Sequence, residues 1–337
     1  MSIVNTFSLQ SNRQIKINFD GGDLSSDAGL LLIKEFISKL GIERLLNRSF
    51  KTNDSAVFRY HTDRDNLLQM IYMIMAGYFE DDASDELTKD PIFFNRMDED
   101  TLKQFQEISQ ILRKRIYSIQ MPQAVILDLD STLLAAYGKQ EGRAFNFHYR
   151  SNGYHPLVCY DGITGDLIKI QFRDGAAYSC TGVTDFLQPI LDEYLNDYPT
   201  IHLLLRGDSG FATPDLYKQC EENGTSYVIR LKENFIKESK SGFDFSAVSS
   251  HNRIVNANRV QVHALAYNIF NWFRRLVLSA KMRKQRIDTV RLKLLKIATK
   301  VVHSARYITF KLCSSCPYKE EFYAPLSAIG KLNVQLE

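Results

Sequence analysis

Two apolar runs in this chain end in acids. Ala124-Val-Ile-Leu-Asp-Leu-Asp130 reads as a buried strand that delivers Asp128 and Asp130, and Ile201-His-Leu-Leu-Leu205 runs into Arg206-Gly-Asp208-Ser-Gly-Phe211. Carboxylates at strand C-termini of an α/β sheet face the crevice where such sheets bind ligands. Converging there, they suit Mg²⁺, which takes oxygen ligands and keeps some of its waters. Two such ions, roughly 3.5–4 Å apart, can activate an attacking hydroxyl and stabilise the leaving oxygen of a phosphodiester. Either aspartate alone would read as a turn or cap residue. The pair is what points to a site.

The elements that must hold these acids follow from periodicity. Residues 1–120 read as mainly helical: Leu30, Leu31, Ile33, Phe36, Ile37 and Leu40 keep close to a 3.6 period, and Gly41 stops the run. Helices are also expected over Arg64 to Tyr78 and before Pro122. From Ala124 the period changes. Strands are expected at Ala124 to Asp130, Ala144 to Tyr149 and Pro156 to Tyr160, with a turn at Asp161-Gly-Ile-Thr-Gly-Asp166 into Leu167 to Phe172. A helix over Thr184 to Leu195, a strand at Ile201 to Leu205, a helix from Pro214 and a strand at Ser226 to Leu231 complete a mixed α/β sheet. Asn258 to Leu278 and the basic segment Lys281 to Lys300 read as helical. The expected division is an N-terminal helical region over 1–120, a catalytic core over 121–241 and a basic C-terminal helical region over 242–337.

Val125-Ile-Leu-Asp128-Leu-Asp130-Ser-Thr132 also resembles the opening motif of haloacid-dehalogenase-type phosphatases. In that reading Asp128 is the nucleophile and Asp130 the general acid. The motif there feeds a parallel, doubly wound sheet. Here a strand–turn–strand meander follows it, as an RNase H-like fold requires.

A longer ordered set of motifs decides between them. Asp128-Leu-Asp130-Ser-Thr132, Gly138-Lys-Gln-Glu141-Gly142, Tyr154-His-Pro156-Leu157, Thr164-Gly-Asp166, Arg206-Gly-Asp208-Ser-Gly-Phe211, Glu233-Asn-Phe-Ile-Lys237-Glu-Ser-Lys240 and Leu265-Ala-Tyr267-Asn268 resemble, in order, the core of the DDE transposases of bacterial insertion sequences. Asp27-Ala-Gly-Leu30 and Gly77-Tyr78 extend the resemblance over most of the chain. It implies an RNase H-like α/β core flanked by helical regions, with Asp130, Asp208 and Glu233 as metal-binding catalytic carboxylates. It also implies two Mg²⁺ ions, replaceable by Mn²⁺. The implied partners are double-stranded DNA, both terminal inverted repeats and target, and a second copy of the chain in the DNA complex; no membrane or small-molecule substrate is implied, and the location is cytoplasmic, at the nucleoid. Glu233 and Lys240 fit the family's Glu-x6-Lys signature, Lys237 shares their face of a helix, and with Arg274 and Arg275 the two lysines are the candidate DNA-binding residues. The chain departs from the pattern at one place. Only Leu231 and Lys232 separate Arg230 from Glu233, and the family's long β insertion before the catalytic helix is missing. A transposase impaired by that loss, or a remnant that binds DNA without cutting it, is therefore an open alternative.

Composition adds the setting. Of 337 residues, 45% are hydrophobic and 24% charged, ordinary for a globular chain, and the formal net charge is only +3. Its distribution is uneven: nine acids crowd Phe79 to Asp100, whereas Asn271 to Lys311 holds twelve Lys or Arg against the single acid Asp288. That asymmetry gives one region a positive field suited to phosphate. No charged-then-apolar leader opens the sequence, and five cysteines in such a chain are expected as reduced thiols. Cys313-Ser-Ser-Cys316 has the spacing of half a zinc site, but no second pair stands near it.

Overall fold

The structure is a computed structural model that describes residues 6–19, 27–54, 60–78, 96–229, 242–243, 250–303 and 307–335. Glu233, Lys237, Lys240 and most of the acidic stretch lie outside these residues.

The central strand is β3 (Ala124–Ser131). Val125, Leu127 and Leu129 are buried on one face, while Asp128 and Asp130 share the other, the alternation that strand geometry imposes. On one side β3 pairs antiparallel with β7 (Leu157–Asp161), which pairs antiparallel with β8 (Leu167–Gln171). On the other it pairs in parallel with β9 (His202–Gly207), and β9 in parallel with β10 (Ser226–Ile229). The order β10-β9-β3-β7-β8, meander first and parallel strands after, is that of an RNase H-like core. The crossovers are α5 (Val183–Asp197) and α6 (Pro214–Glu222). Thr213 caps α6 and Pro214 sits in its first turn, where the missing N–H costs nothing.

One ion pair fastens the parallel junction. Arg206 on β9 grips Asp128 on β3 with Nε and Nη2, one to each carboxylate oxygen. Asp128 is buried, and its hydrogen bond raises the Arg206 guanidinium above its ordinary value. Gly162 makes room for them, since a Cβ there would stand 2.6 Å from Asp128 Oδ2 and 2.7 Å from Arg206 Nη2.

The β8 edge is closed by side chains of two helices, which removes an open ladder. In α7 (Arg253–Val277), Asn268 accepts from Leu167 N–H and donates to Leu167 C=O, both at 2.8 Å. Arg113 of α4 (Glu99–Ile119) donates to Ile168 C=O at 2.9 Å and pairs with Glu193 of α5 at 2.7 Å. The helix α7 is buried along most of its length. It packs on α4, on α1 (Leu30–Lys39) and on α3 (Asp63–Ala76), with α2 (Ile42–Ser49) between them.

The flanks of the core also contain strands. β1 (Phe7–Ser8) and β2 (Ile15–Asn18) join β11 (Thr299–His303) and β12 (Ile308–Leu312) in one sheet, in which β2 pairs in parallel with β12. The segment from Lys281 to Lys300, expected as one helical run, comprises α8 (Ala280–Arg283), α9 (Ile287–Val290), a π turn over Arg291–Leu295 and the start of β11. Two constraints break the run. Arg291 is buried and donates to the Ile74 and Met75 carbonyls at the end of α3, at 3.0 and 2.7 Å. Gly29 lies directly against the Leu294 carbonyl, where a Cβ would come within 1.6 Å. The last helix is α10 (Lys319–Lys331). No helix among the described residues is long and apolar enough to cross a membrane.

Two substitutions test this account. Asn268→Leu strands two buried backbone groups of β8 and should cost about 2–5 kcal/mol; thermal unfolding followed by circular dichroism would show a fall in Tm, and an unchanged Tm would contradict the edge-closing role. Asp128→Asn removes the charge partner of a half-exposed arginine and should cost about 1–3 kcal/mol, less than a fully buried pair because solvent screens Arg206. Arg206→Gln should then cost much less in the Asp128→Asn background than alone. Additive losses would mean that the pair does not act as a unit.

Candidate active site

Asp130 and Asp208 come from strands that the parallel ladder sets side by side. The register pairs Asp128 with Arg206. Each acid follows two residues after that pair, Asp130 still within β3 and Asp208 just past the end of β9. Asp130 Oδ1 accepts from Ser131 N–H at 2.6 Å. Asp208 caps a 3-10 turn over Ser209–Phe211, with Oδ1 accepting from Gly210 N–H at 2.8 Å. Asp130 is half-buried and Asp208 exposed, so the pair opens to solvent on one side.

The block around Asp208 shows why those residue types stand there. Phe211 is fully buried and anchors the turn. A Cβ on Gly207 would press on the Phe211 ring at 3.3 Å, and one on Gly210 would meet Asp208 Oδ1 at 3.0 Å and Ser179 Cβ at 3.1 Å. Ser179 belongs to a loop over the carboxylate end, where its hydroxyl meets that of Ser131 at 2.8 Å.

Periodicity gave no role to the residues that hold this loop. Arg173 is buried; its Nη1 donates to the carbonyls of Tyr178, Ser179 and Thr181 at 3.1, 3.2 and 2.7 Å, and its Nε to His155 C=O at 2.9 Å. Burial lowers the guanidinium to about 10. His155 Nδ1 meets Ala177 C=O at 2.7 Å. His155 stood inside a quoted motif, but Arg173 carried no sequence signal beyond being a charge just after a strand.

The remaining candidates lie elsewhere. Arg274 and Arg275 sit near the end of α7, beside the β7–β8 turn at the opposite end of the sheet from the two aspartates. Arg275 pairs with Asp166 at 2.7 Å, and Arg274 donates to Asn271 Oδ1 at 2.8 Å. With Arg283, Lys284 and Arg286 they line a cleft of about 320 Å³. Not every basic residue of this region faces out, since Arg291 is internal and Lys296 pairs with Asp27 at 3.3 Å. Asp27 also accepts from Tyr78 Oη, so the motifs around residues 27 and 77 meet as packing contacts rather than as chemistry. No disulfide joins the five cysteines, and burial pushes the Cys159 thiol up, away from reactivity.

Asp130 and Asp208 offer oxygen only, the donor chemistry of Mg²⁺ or Mn²⁺ and not of a soft metal. Among the described residues no three His, Cys, Asp or Glu side chains form a metal-binding group, and the expected third ligand, Glu233, is not among them. The phosphatase reading has lost its nucleophile. Both Asp128 oxygens are engaged by Arg206, and β3 lies between an antiparallel and a parallel neighbour rather than in a doubly wound sheet.

Comparison with known proteins bears on the same choice. No curated protein matches the chain. Distant likenesses among solved structures include the piggyBac transposase in a cryo-EM synaptic complex with hairpin DNA, at 16% identity and a TM-score of 0.30, covering 61% of this chain and 51% of that one. The chain thus spans about half the length of that transposase. Others are the Mos1 transposase in a paired-end complex with the left transposon end (10%, 0.25, 68% and 85%) and the large terminase nuclease from thermophilic phage G20c (11%, 0.15, 61% and 83%). The family described as Transposase DDE domain group 1 matches residues 7–96, 93–234 and 232–334, nearly the whole sequence. The chain belongs to the DDE transposase family.

Proposed function

We propose that this chain is the transposase of a bacterial insertion sequence, which binds double-stranded DNA at the element's terminal inverted repeats, cuts there and joins the freed end to target DNA. The observation that carries the reading is the β3–β9 register, which pairs Asp128 with Arg206, two residues before Asp130 and Asp208, at one end of an RNase H-like sheet. Glu233 completes the set. One anchor supports it: β10 ends with Ile229 opposite Gly207, so the described chain runs out at the carboxylate end four residues before Glu233.

Two Mg²⁺ ions held by these carboxylates would activate the attacking hydroxyl and stabilise the leaving oxygen. The protein's own residues do the positioning. Arg206 and Asp128 lock the strands that carry the acids, and Arg173 and His155 fix the loop beside them. Lys237, Lys240, Arg274 and Arg275 contact DNA phosphates, and Arg283, Lys284 and Arg286 extend the Arg274–Arg275 cleft along the backbone. Water attacks the phosphodiester at the element's end and frees a 3′-hydroxyl. That hydroxyl then attacks target phosphorus, displacing a 3′-oxygen and leaving no protein–DNA bond. Two ends handled together call for two copies of the chain.

One observation favours a second reading, a remnant that binds without cutting. The second and third family matches overlap at residues 232–234, around Glu233, the place where the sequence departs from the family's pattern. A misplacement of about 1 Å at Glu233 would cost roughly 100-fold in rate.

Incubated with Mg²⁺ or Mn²⁺ and a duplex carrying the element's ends, the chain should nick the DNA, and Asp130→Asn or Asp208→Asn should slow nicking at least about 100-fold. Binding without product would establish the remnant, and undiminished product in both variants would remove the metal assignment. Binding should also weaken steeply with salt. Arg283→Gln with Arg286→Gln should reduce the slope of log K against log salt by about two, and an unchanged slope would place DNA elsewhere.

A further inference from the structure

The antiparallel ladder of β3 on β7 does not stop at the aspartates. Ser131 pairs with Leu157, Thr132 N–H donates to Pro156 C=O at 3.3 Å, and Leu134 pairs with Tyr154 in the same register. β4 (Leu134–Ala135) and β6 (Ser151–Tyr154) thus prolong the core as a ribbon past the carboxylate end, and β5 (Ala144–Asn146) pairs with β6 beside it. Close backbone approach makes the ribbon stiff: a Cβ on Gly153 would come within 2.1 Å of the Leu134 carbonyl.

The β5–β6 turn displays aromatic surface that the fold does not use. Phe147 is 85% exposed and Phe145 43%, their rings edge to face at 5.2 Å. Tyr178, on the loop held by Arg173, is 79% exposed. Singly exposed apolar side chains are common, but aromatic rings grouped in contact on the surface mark interaction sites. The turn is built rather than loose. Asn146 Oδ1 accepts from His148 and Tyr149 N–H at 3.1 and 3.2 Å, and its Nδ2 donates to Gly175 C=O at 2.9 Å. Tyr149 Oη donates to Ser131 C=O at 3.2 Å, which ties the turn to the residue after Asp130. Between Tyr137 and Arg150 the charges are Lys139, Arg143 and Arg150 against Glu141.

We infer that this turn is a stacking platform for unpaired nucleobases, centred on Phe147 and Phe145, that receives a strand frayed next to the carboxylates. Flat aromatic faces with cationic neighbours are what single-stranded nucleic acid recognises, without demanding a sequence. A base held there keeps the strand beside the scissile phosphate from pairing again with its complement. The inference rests on the reading of the chain as one that acts on DNA.

Metal-free binding tests it, so that loss of cutting cannot confuse the result. The full chain, in a chelator, is titrated with a blunt duplex and with the same duplex bearing a short oligothymidine overhang. The overhang should improve affinity about tenfold, the worth of one stacked base. Phe147→Ala should bring the two affinities together, and Phe147→Trp should restore the gap and show quenching of the added indole by the overhang alone. Equal affinities in the wild type, or a gap that survives Phe147→Ala, would overturn the platform while leaving the DNA reading intact. A fall from dimer to monomer in Phe147→Ala with the gap unchanged would make the turn a contact between copies and overturn it as well. No binding to either duplex would remove the DNA reading and the platform together.

Discussion

Asp130 and Asp208 lie far apart in sequence, and each follows by two residues a position, Asp128 or Arg206, that the parallel register of β3 and β9 pairs. That pairing is the constraint on which the rest depends. Parallel strands need a crossover between them, and α5 supplies it after the meander, so β7, β8 and α5 all lie between the two acids along the chain. A slip of one residue would turn Asp130 into the core and Leu129 out of it. The Asp128–Arg206 pair opposes such a slip, because it aligns only when Asp128 faces Arg206 across the ladder. The carboxylate that resembled a nucleophile is thus the one that keeps its neighbour in place.

The supporting parts divide along the sheet. At the carboxylate end, Arg173, His155 and Ser179 shape a loop, and the ribbon from β4 and β6 rises past the aspartates. At the other end, α7 closes the β8 edge and carries Arg274 and Arg275 into a basic cleft. A duplex that reaches from cleft to carboxylates would have to run along the length of the sheet. The flanks are fastened to each other as well as to the core, since β2 and β12 come from opposite ends of the sequence and pair directly.

Much of the core was legible because its signals are local. The apolar run ending in Asp130, the helix opening at Pro214 and the Asp161-to-Asp166 turn all read correctly, each set by strand alternation, helix-start or turn chemistry. Long-range contacts left no such trace. The basic run from Lys281 kept a helical period, yet burial of Arg291 against the end of α3 and the close approach at Gly29 divide it into short turns and a strand. Strands β1, β2, β11 and β12 went unread because each is short, and the pairing of β2 with β12 that joins them into one sheet spans most of the sequence. For the site, the acids were visible as residue types at strand ends. Arg173 was not, because its role is to gather carbonyls of a loop whose path only the fold defines.

We propose that Asp130 and Asp208 share one metal site. Iron(II) can occupy an oxygen-ligand site and, with ascorbate and peroxide, cut the backbone beside it. Mapping those cuts on the full chain reads the geometry without requiring turnover. Cleavage clustered around residues 130 and 208, and abolished at both positions by either Asp130→Asn or Asp208→Asn, is the predicted result. Cuts near only one of them, or cuts at both that persist in the two variants, would contradict a shared site.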